Sequence, residues 1–332
     1  MNFFQRTRRW CGLLLLLAAP LYAQELTPVS SVAVPELAPA EFVFGLGSTG
    51  TDLLLLTSRS FYSSPLYAGG STSFTDTGIT MAGLGITINA TSLALSNPGD
   101  PNQMYITGGG GLVGNFLYTL QFQPAPSTSS VSLSSAFPGR PQGMAVDGTG
   151  AVYLSRPVVG SESPSGGIYK ITSAQNVSLE LNFGLSGPGL LNTPGAMALG
   201  PDGLLYVLDT GDERVVSFDT EGVFQSAFSL NAPVESRALA IANDGRLFTL
   251  NSAGGGDIYD IFTGTQVGSL ADTGDVGFNP GGKPALWIEG DYLYAIGAAG
   301  ANVQIYAVPE PTTTALLAGM AAFLACKRPR KR

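Results

Sequence analysis

Short apolar runs alternate with Gly, Pro, Asp and Asn turns along most of this chain, and each run has the length of a strand. The clearest instance is the stretch 196–228, AMALGPDGLLYVLDTGDERVVSFDTEGVFQSAF. An apolar run, 196–199, stops at Gly-Pro-Asp-Gly; a second, 204–208, ends at the polar tip 209–214; a third, 215–219, turns through 220–222 into a fourth, 223–228. Val, Leu, Phe and Tyr punctuated by Asp-Gly or Glu-Gly are hairpin signals, so the stretch predicts four short antiparallel strands. Between the two chain ends no segment keeps a helical period of apolar positions.

The unit repeats. Its second strand carries a large apolar or aromatic pair, found at Leu54-Leu55, Met104-Tyr105, Val152-Tyr153, Leu205-Tyr206, Leu247-Phe248 and Leu293-Tyr294. Counted on the second residue of each pair, the steps are 50, 48, 53, 42 and 46 residues, the spacing of propeller blades. Apolar runs feeding Gly-rich or Asp-Gly turns precede the pair at 144–148, 197–203 and 239–245. An aromatic third strand follows it at 116–120, 167–171, 215–218, 258–261 and 303–306; in the first repeat the segment 64–67 fills that role more loosely. The abundance of Gly and Pro argues against helical repeats of similar period. The segment 205–215, LYVLDTGDERV, resembles the Tyr-Val-Ala-Asp-Thr-Gly-Asn-x-Arg-Val stretch of NHL-type six-bladed propellers, with Asp212 where Asn is usual. The resemblance implies an all-β, six-bladed β-propeller over residues 42–308.

A ring closes only if its ends meet. The sixth repeat holds three strands, at 285–288, 292–296 and 303–308. Residues 24–41 are Pro-rich with one strand-like run, 28–34, which is expected to supply the missing outer strand and remove the largest free edges.

Charge and composition narrow the chemistry. The chain has 332 residues, 44% hydrophobic and 12% charged, which excludes simple disorder. Its net charge is −8. Eight of the 16 basic residues lie at the two ends, so residues 10–326 carry 16 − 8 = 8 basic against 24 acidic residues, near −16. Such a domain repels nucleic acid. Histidine is absent, which removes imidazole bases, imidazole metal ligands and a Ser-His-Asp triad. The two cysteines, Cys11 and Cys326, lie outside the repeats, so the repeat region has neither disulfide nor thiolate site.

Both ends read as sorting segments. Residues 1–23 have a basic n-region (Arg6, Arg8, Arg9), an apolar core at 13–19 and a cleavage site after Ala23, a secretory signal helix in pattern; an uncleaved anchor is the alternative. At the other end Val308-Pro309-Glu310-Pro311 leads into an apolar segment, 312–326, and the basic tail Lys327, Arg328, Arg330, Lys331 and Arg332. Glu310 is the only acidic residue after Asp291. The apolar run is short for a full span, but the basic side chains reach the interface and hold the tail on the cytoplasmic side. The combination resembles the PEP-CTERM sorting signal of Gram-negative bacteria, the alternative being a plain tail anchor. The resemblance implies export by signal peptidase, transient anchoring in the inner membrane by a C-terminal hydrophobic helix, and processing by an exosortase near Pro-Glu-Pro. The protein would end at the cell surface or outside the cell.

Within the repeats, Asp147, Asp202 and Asp244 occupy equivalent turns, where Asp caps its own backbone; the alternative is that they are cation ligands. Asp209, Asp212, Glu213 and Arg214 are expected to form a solvated tip with an internal Asp–Arg pair. The glycine runs 108–111 and 254–256 lack the context of a phosphate loop. Asn89-Ala90-Thr91 and Asn176-Val177-Ser178 match a glycosylation pattern that carries little meaning in a bacterial protein. No catalytic or cofactor-binding set stands out, and a divalent cation has no clear ligands; lactonase-like propellers imply an acid near the first blade, for which Glu36 and Glu41 are the candidates. The expected role is a non-enzymatic binding or scaffolding module with a polysaccharide or protein ligand, the alternative a cation-dependent hydrolase or lyase.

Overall fold

The computed structural model of the chain describes residues 24–38, 41–88, 94–97, 100–108, 116–123, 125–133, 141–156, 167–171, 179–184, 187–231, 238–251, 255–271, 284–297 and 302–308. The expected signal helix and C-terminal helix lie outside these residues. Among the described residues no helix is long and apolar enough to cross a membrane.

Six antiparallel sheets stand around an axis as a six-bladed propeller. Blade 1 is β3 (Val43–Ser48), β4 (Asp52–Thr57), β5 (Ser60–Pro65) and β6 (Thr75–Thr80). Blade 2 is β7 (Ala94–Asn97), β8 (Asp100–Gly108), β9 (Phe116–Gln121) and β10 (Ser127–Ser132). Blade 3 is β11 (Gly143–Val146), β12 (Val152–Arg156), β13 (Gly167–Ile171) and β14 (Leu179–Phe183). Blade 4 is β15 (Pro194–Leu199), β16 (Leu205–Asp209), β17 (Arg214–Phe218) and β18 (Phe224–Ser229). Blade 5 is β19 (Ala238–Ile241), β20 (Arg246–Leu250), β21 (Gly256–Asp260) and β22 (Gln266–Leu270). Blade 6 begins with β23 (Ala285–Glu289), β24 (Tyr292–Ile296) and β25 (Asn302–Ala307). The first strands touch in succession, β3 to β7, β11, β15, β19, β23 and back to β3, so the ring is closed.

The N-terminal segment makes the closure, as its strand-like run suggested. β2 (Ser30–Ala33) pairs antiparallel with β25 as the outer strand of blade 6, and Val32 is buried there. Ahead of it β1 (Gln24–Leu26) pairs in parallel with β22 and gives blade 5 a fifth strand. One short segment thus straps the rims of two adjacent blades, a feature the sequence did not announce.

Second strands sit mid-blade with a neighbouring blade on each side, so they bury both faces. β16 is buried at all five positions and β12 at four; their sequences accordingly read as continuous apolar runs rather than alternating ones. Outer strands face solvent and are hydroxyl-rich, as in β10, STSSVS. At the axis the strands come close: a Cβ on Gly143 of β11 would lie 1.9 Å from the Gly195 carbonyl of β15, so no larger residue fits there.

Two details of blade 1 differ from the sequence expectation. Its third strand is β5, Ser60–Pro65, rather than 64–67. Phe61, fully buried, is the apolar anchor of a strand whose other residues are mostly Ser. The repeat is also shifted by one: Leu54, packed toward blade 2, takes the aromatic's position, while Leu55 turns toward blade 6. A one-residue slip in a strand exchanges its faces, and Leu at four successive positions hides which frame is used.

Candidate functional site

Antiparallel order puts the first and third turns of every blade at one end of the ring and the second turns and inter-blade connections at the other. The first end is acidic. Each blade contributes an aspartate in or just after its first turn: Asp52, Asp100, Asp147, Asp202, Asp244 and Asp291. The third turns add Asp219 and Glu221 in blade 4.

These aspartates are turn groups, as the sequence predicted for three of them. Asp147 Oδ1 accepts from the Thr149 and Ala151 amides and the Thr149 hydroxyl, and the Tyr153 hydroxyl donates to Oδ2 at 3.1 Å. Burial alone would raise this carboxyl, but the hydrogen bonds from Thr149, Ala151 and Tyr153 outweigh it and hold it below its ordinary value. Asp202 accepts the Leu204 amide and the Tyr206 hydroxyl. Asp244 accepts the Arg246 amide and, at 2.5 Å, its Nε. Among the described residues no three of His, Cys, Asp and Glu gather closely enough to hold a metal ion.

The opposite end corrects an expectation. The expected Asp–Arg pair is present, but Asp209 is not part of a solvated tip; its side chain is fully buried. It accepts the Asn192 amide at 3.0 Å, the Thr193 amide at 2.8 Å and both Nε and a terminal nitrogen of Arg214 at 3.3 Å. Arg214 also donates to the Leu190 carbonyl at 2.5 Å and pairs with Asp212 at 3.2 Å. The group locks the connection from blade 3 onto the second hairpin of blade 4. Glu213, within this hairpin, has a φ of 50°, the one positive value at a described non-glycine residue. The motif that resembles NHL repeats is therefore an internal clamp. Acid clustering in the sequence suggested solvent exposure; the signal that would have shown burial is the Asp to Arg spacing across a tight hairpin.

Glu41 also turns out buried, just before β3. It accepts the Thr57 hydroxyl and, at 3.1 Å, the Ala38 amide, fixing the segment that leads into blade 1. Of the first strands, only β23 contains an acid, Glu289. At the C-terminal side Val308 is buried and its amide donates to the Asp291 carbonyl at 2.7 Å, so the chain leaves the ring at the acidic end. Pro309, Glu310, Pro311, the basic tail from Lys327 to Arg332, and Ala23 lie outside the described residues.

No protein-family model and no curated protein matches the chain. Solved structures do. A Bacteroides thetaiotaomicron protein of unknown function is 16% identical, with a TM-score of 0.53 over 86% of this chain and 74% of its own. A candidate gluconolactonase is 14% identical, TM-score 0.55, over 85% and 94%. A streptogramin B lyase is 13% identical, TM-score 0.51, over 85% and 87%. At these identities the likeness is one of fold: the chain is a six-bladed β-propeller similar to structures of the lactonase and lyase kind.

Proposed function

We propose that the protein is an exported β-propeller that works as a binding or scaffolding module at the cell surface or in the extracellular polysaccharide matrix, sorted by a PEP-CTERM signal. The observation that carries the reading is that the described residues between the two expected processing points close the ring by themselves. The first strands touch in a full circle, and β2 completes blade 6 by pairing with β25. The described strands therefore do not depend on either expected sorting segment. Signal peptidase and exosortase are the processing partners, and the inner membrane holds the chain in between. Mass spectrometry of the protein from its native host tests this. The expected product begins at Gln24 and ends near Pro309-Glu310-Pro311; exported protein with an intact C-terminus overturns the sorting reading.

A second reading, a cation-dependent hydrolase or lyase, is supported by the names of the gluconolactonase and lyase among the similar structures. Glu41 is the acid nearest the start of the first blade, and here it is engaged by Thr57 and Ala38. Hydrolysis of a lactone panel that requires Ca²⁺ or Mg²⁺ and is abolished in Glu41→Gln would favour this reading over the first.

A further inference from the structure

Two blades depart from the repeat on the first strand: blade 2, where Leu95 pairs with Tyr105, and, with a larger aromatic, blade 6. On the first strand, the residue paired with the landmark aromatic is small in most blades: Ala145 opposite Tyr153, Ala198 opposite Tyr206, Ala240 opposite Phe248 and, in blade 1, Gly47 opposite Leu54. Blade 6 has Trp287 opposite Tyr294. Two residues on, at the mouth of the turn, Glu289 pairs with Tyr292. Trp287, Glu289 and Tyr292 are all half-buried; the two aromatic rings pack on the core between blades 6 and 1 and still present part of their surface to solvent. The Trp287 indole N–H donates to Glu289 Oε2 at 3.2 Å, and Oε1 of that carboxylate has no partner among the described residues. From blade 1 the Tyr67 ring meets Tyr292 edge-on, 5.0 Å between centroids at 85°, and the Tyr67 amide donates to the Tyr294 hydroxyl at 3.0 Å.

The blade architecture does not require these groups, since blades 3, 4 and 5 close with alanine. They place two aromatic side chains, part-exposed and held in orientation, beside a carboxylate that can accept hydroxyl protons. Aromatic rings offer a flat apolar surface with little conformational freedom to lose, which matches the C–H face of a pyranose, and a fixed carboxylate accepts a pair of its hydroxyls. The negative charges of Glu289 and Asp291 at the same turn disfavour an anionic polymer.

We propose that Trp287, Glu289, Tyr292 and Tyr67 form a subsite for a neutral saccharide at the junction of blades 6 and 1. The proposal rests on the binding-module reading above and gives its ligand class. The chain has two tryptophans, Trp10 and Trp287, so in full-length Trp10→Phe protein the indole emission reports on this site alone.

The test is native affinity electrophoresis of the full chain in gels containing hydroxyethylcellulose, galactomannan or β-1,3-glucan, with polygalacturonate as the anionic comparison. Retardation is expected in at least one neutral gel and not in polygalacturonate, with a shift of Trp287 emission on adding oligosaccharides of the retarding polymer. Trp287→Ala, which installs the residue that blades 3, 4 and 5 use, keeps the fold and is expected to weaken binding by about tenfold or more; Tyr292→Ala is expected to do the same. Three outcomes overturn the proposal: no retardation in any neutral gel, retardation in polygalacturonate only, or retardation that Trp287→Ala leaves unchanged. The last would sink this subsite while leaving the binding module intact, and none of them bears on the processing measured by mass spectrometry.

Discussion

The Tyr206 hydroxyl donates to Asp202 Oδ2 at 2.7 Å, fastening the second strand of blade 4 to its own first turn. Blade 3 repeats the relationship with Tyr153 and Asp147. In blade 5 the aromatic is Phe248, which has no hydroxyl, and Asp244 is instead held by Arg246, whose guanidinium also lies over the Phe248 ring at 5.9 Å. The same turn is closed by two different chemistries, each matched to the residue at the landmark position.

Removing the latch should therefore be costly where it is a tyrosine and pointless to add where it is not. Tyr206→Phe is expected to lower stability by about 1 kcal/mol, the net worth of one hydrogen bond to a carboxylate that can rehydrate, read as a shift in the denaturation midpoint. Phe248→Tyr should destabilise as well, since its new hydroxyl enters a fully buried position where Arg246 already occupies Asp244. A Phe248→Tyr protein more stable than the parent would contradict this account of blade 5.

The strap predicts a graded response to truncation. Loss of residues 24–26 removes only the parallel strand β1 from blade 5, while loss of 24–33 also strips β2 from β25 and uncovers Val32's contacts in the core between blades 6 and 1. The shorter deletion should lower the melting temperature modestly and the longer one by much more, with oligomers or aggregates forming through the freed edge of β25. Equal melting temperatures for the parent and the longer deletion would mean that the ring does not close through β2.

Much of this architecture was legible because the mid-blade strands are buried on both faces and so announce themselves as apolar runs at a regular step. Tyr105, Tyr153, Tyr206, Phe248 and Tyr294 all fall on second strands. The outer strands were harder: β6 and β10 are built from Thr and Ser with solvent on one face, so no apolar period marks them. The candidate sites were less legible still. Asp209 and Asp212 look alike in sequence, and only the fold of the connection 190–193 over the hairpin buries one and exposes the other. Trp287 looks like any strand aromatic until strand register sets it opposite Tyr294, a position that holds alanine in blades 3, 4 and 5.

The Asp209 clamp predicts a large effect from removing one side-chain carboxylate. Asp209→Ala leaves the Asn192 and Thr193 amides without their acceptor and Arg214 without its buried partner, at a cost of about 3 kcal/mol. Arg214 keeps Asp212 and the Leu190 carbonyl, so Arg214→Ala in the Asp209→Ala background should cost less than it does alone. A double-mutant cycle in urea measures the coupling. Additive losses would show that the pair is not the clamp.

Two aspartates should respond to pH in opposite senses. The Asp147 carboxyl is held low by its hydrogen bonds despite burial. Its stabilisation is therefore complete above the ordinary carboxylate range and is lost as pH falls through its depressed value. Asp257, on β21, is raised by burial, which the Tyr259 hydroxyl only partly offsets, so its ionisation costs stability as pH rises through that raised value. Asp147→Asn should accordingly be destabilising at pH 7 and less so at about pH 3. Asp257→Asn should compare more favourably with the parent at pH 7 than at about pH 3, because the amide avoids the burial of a charge while its oxygen can still accept from Gln266. Melting curves of the three proteins at both pH values decide it. Parallel shifts in the two variants would show that the two carboxylates do not differ in the way their surroundings require.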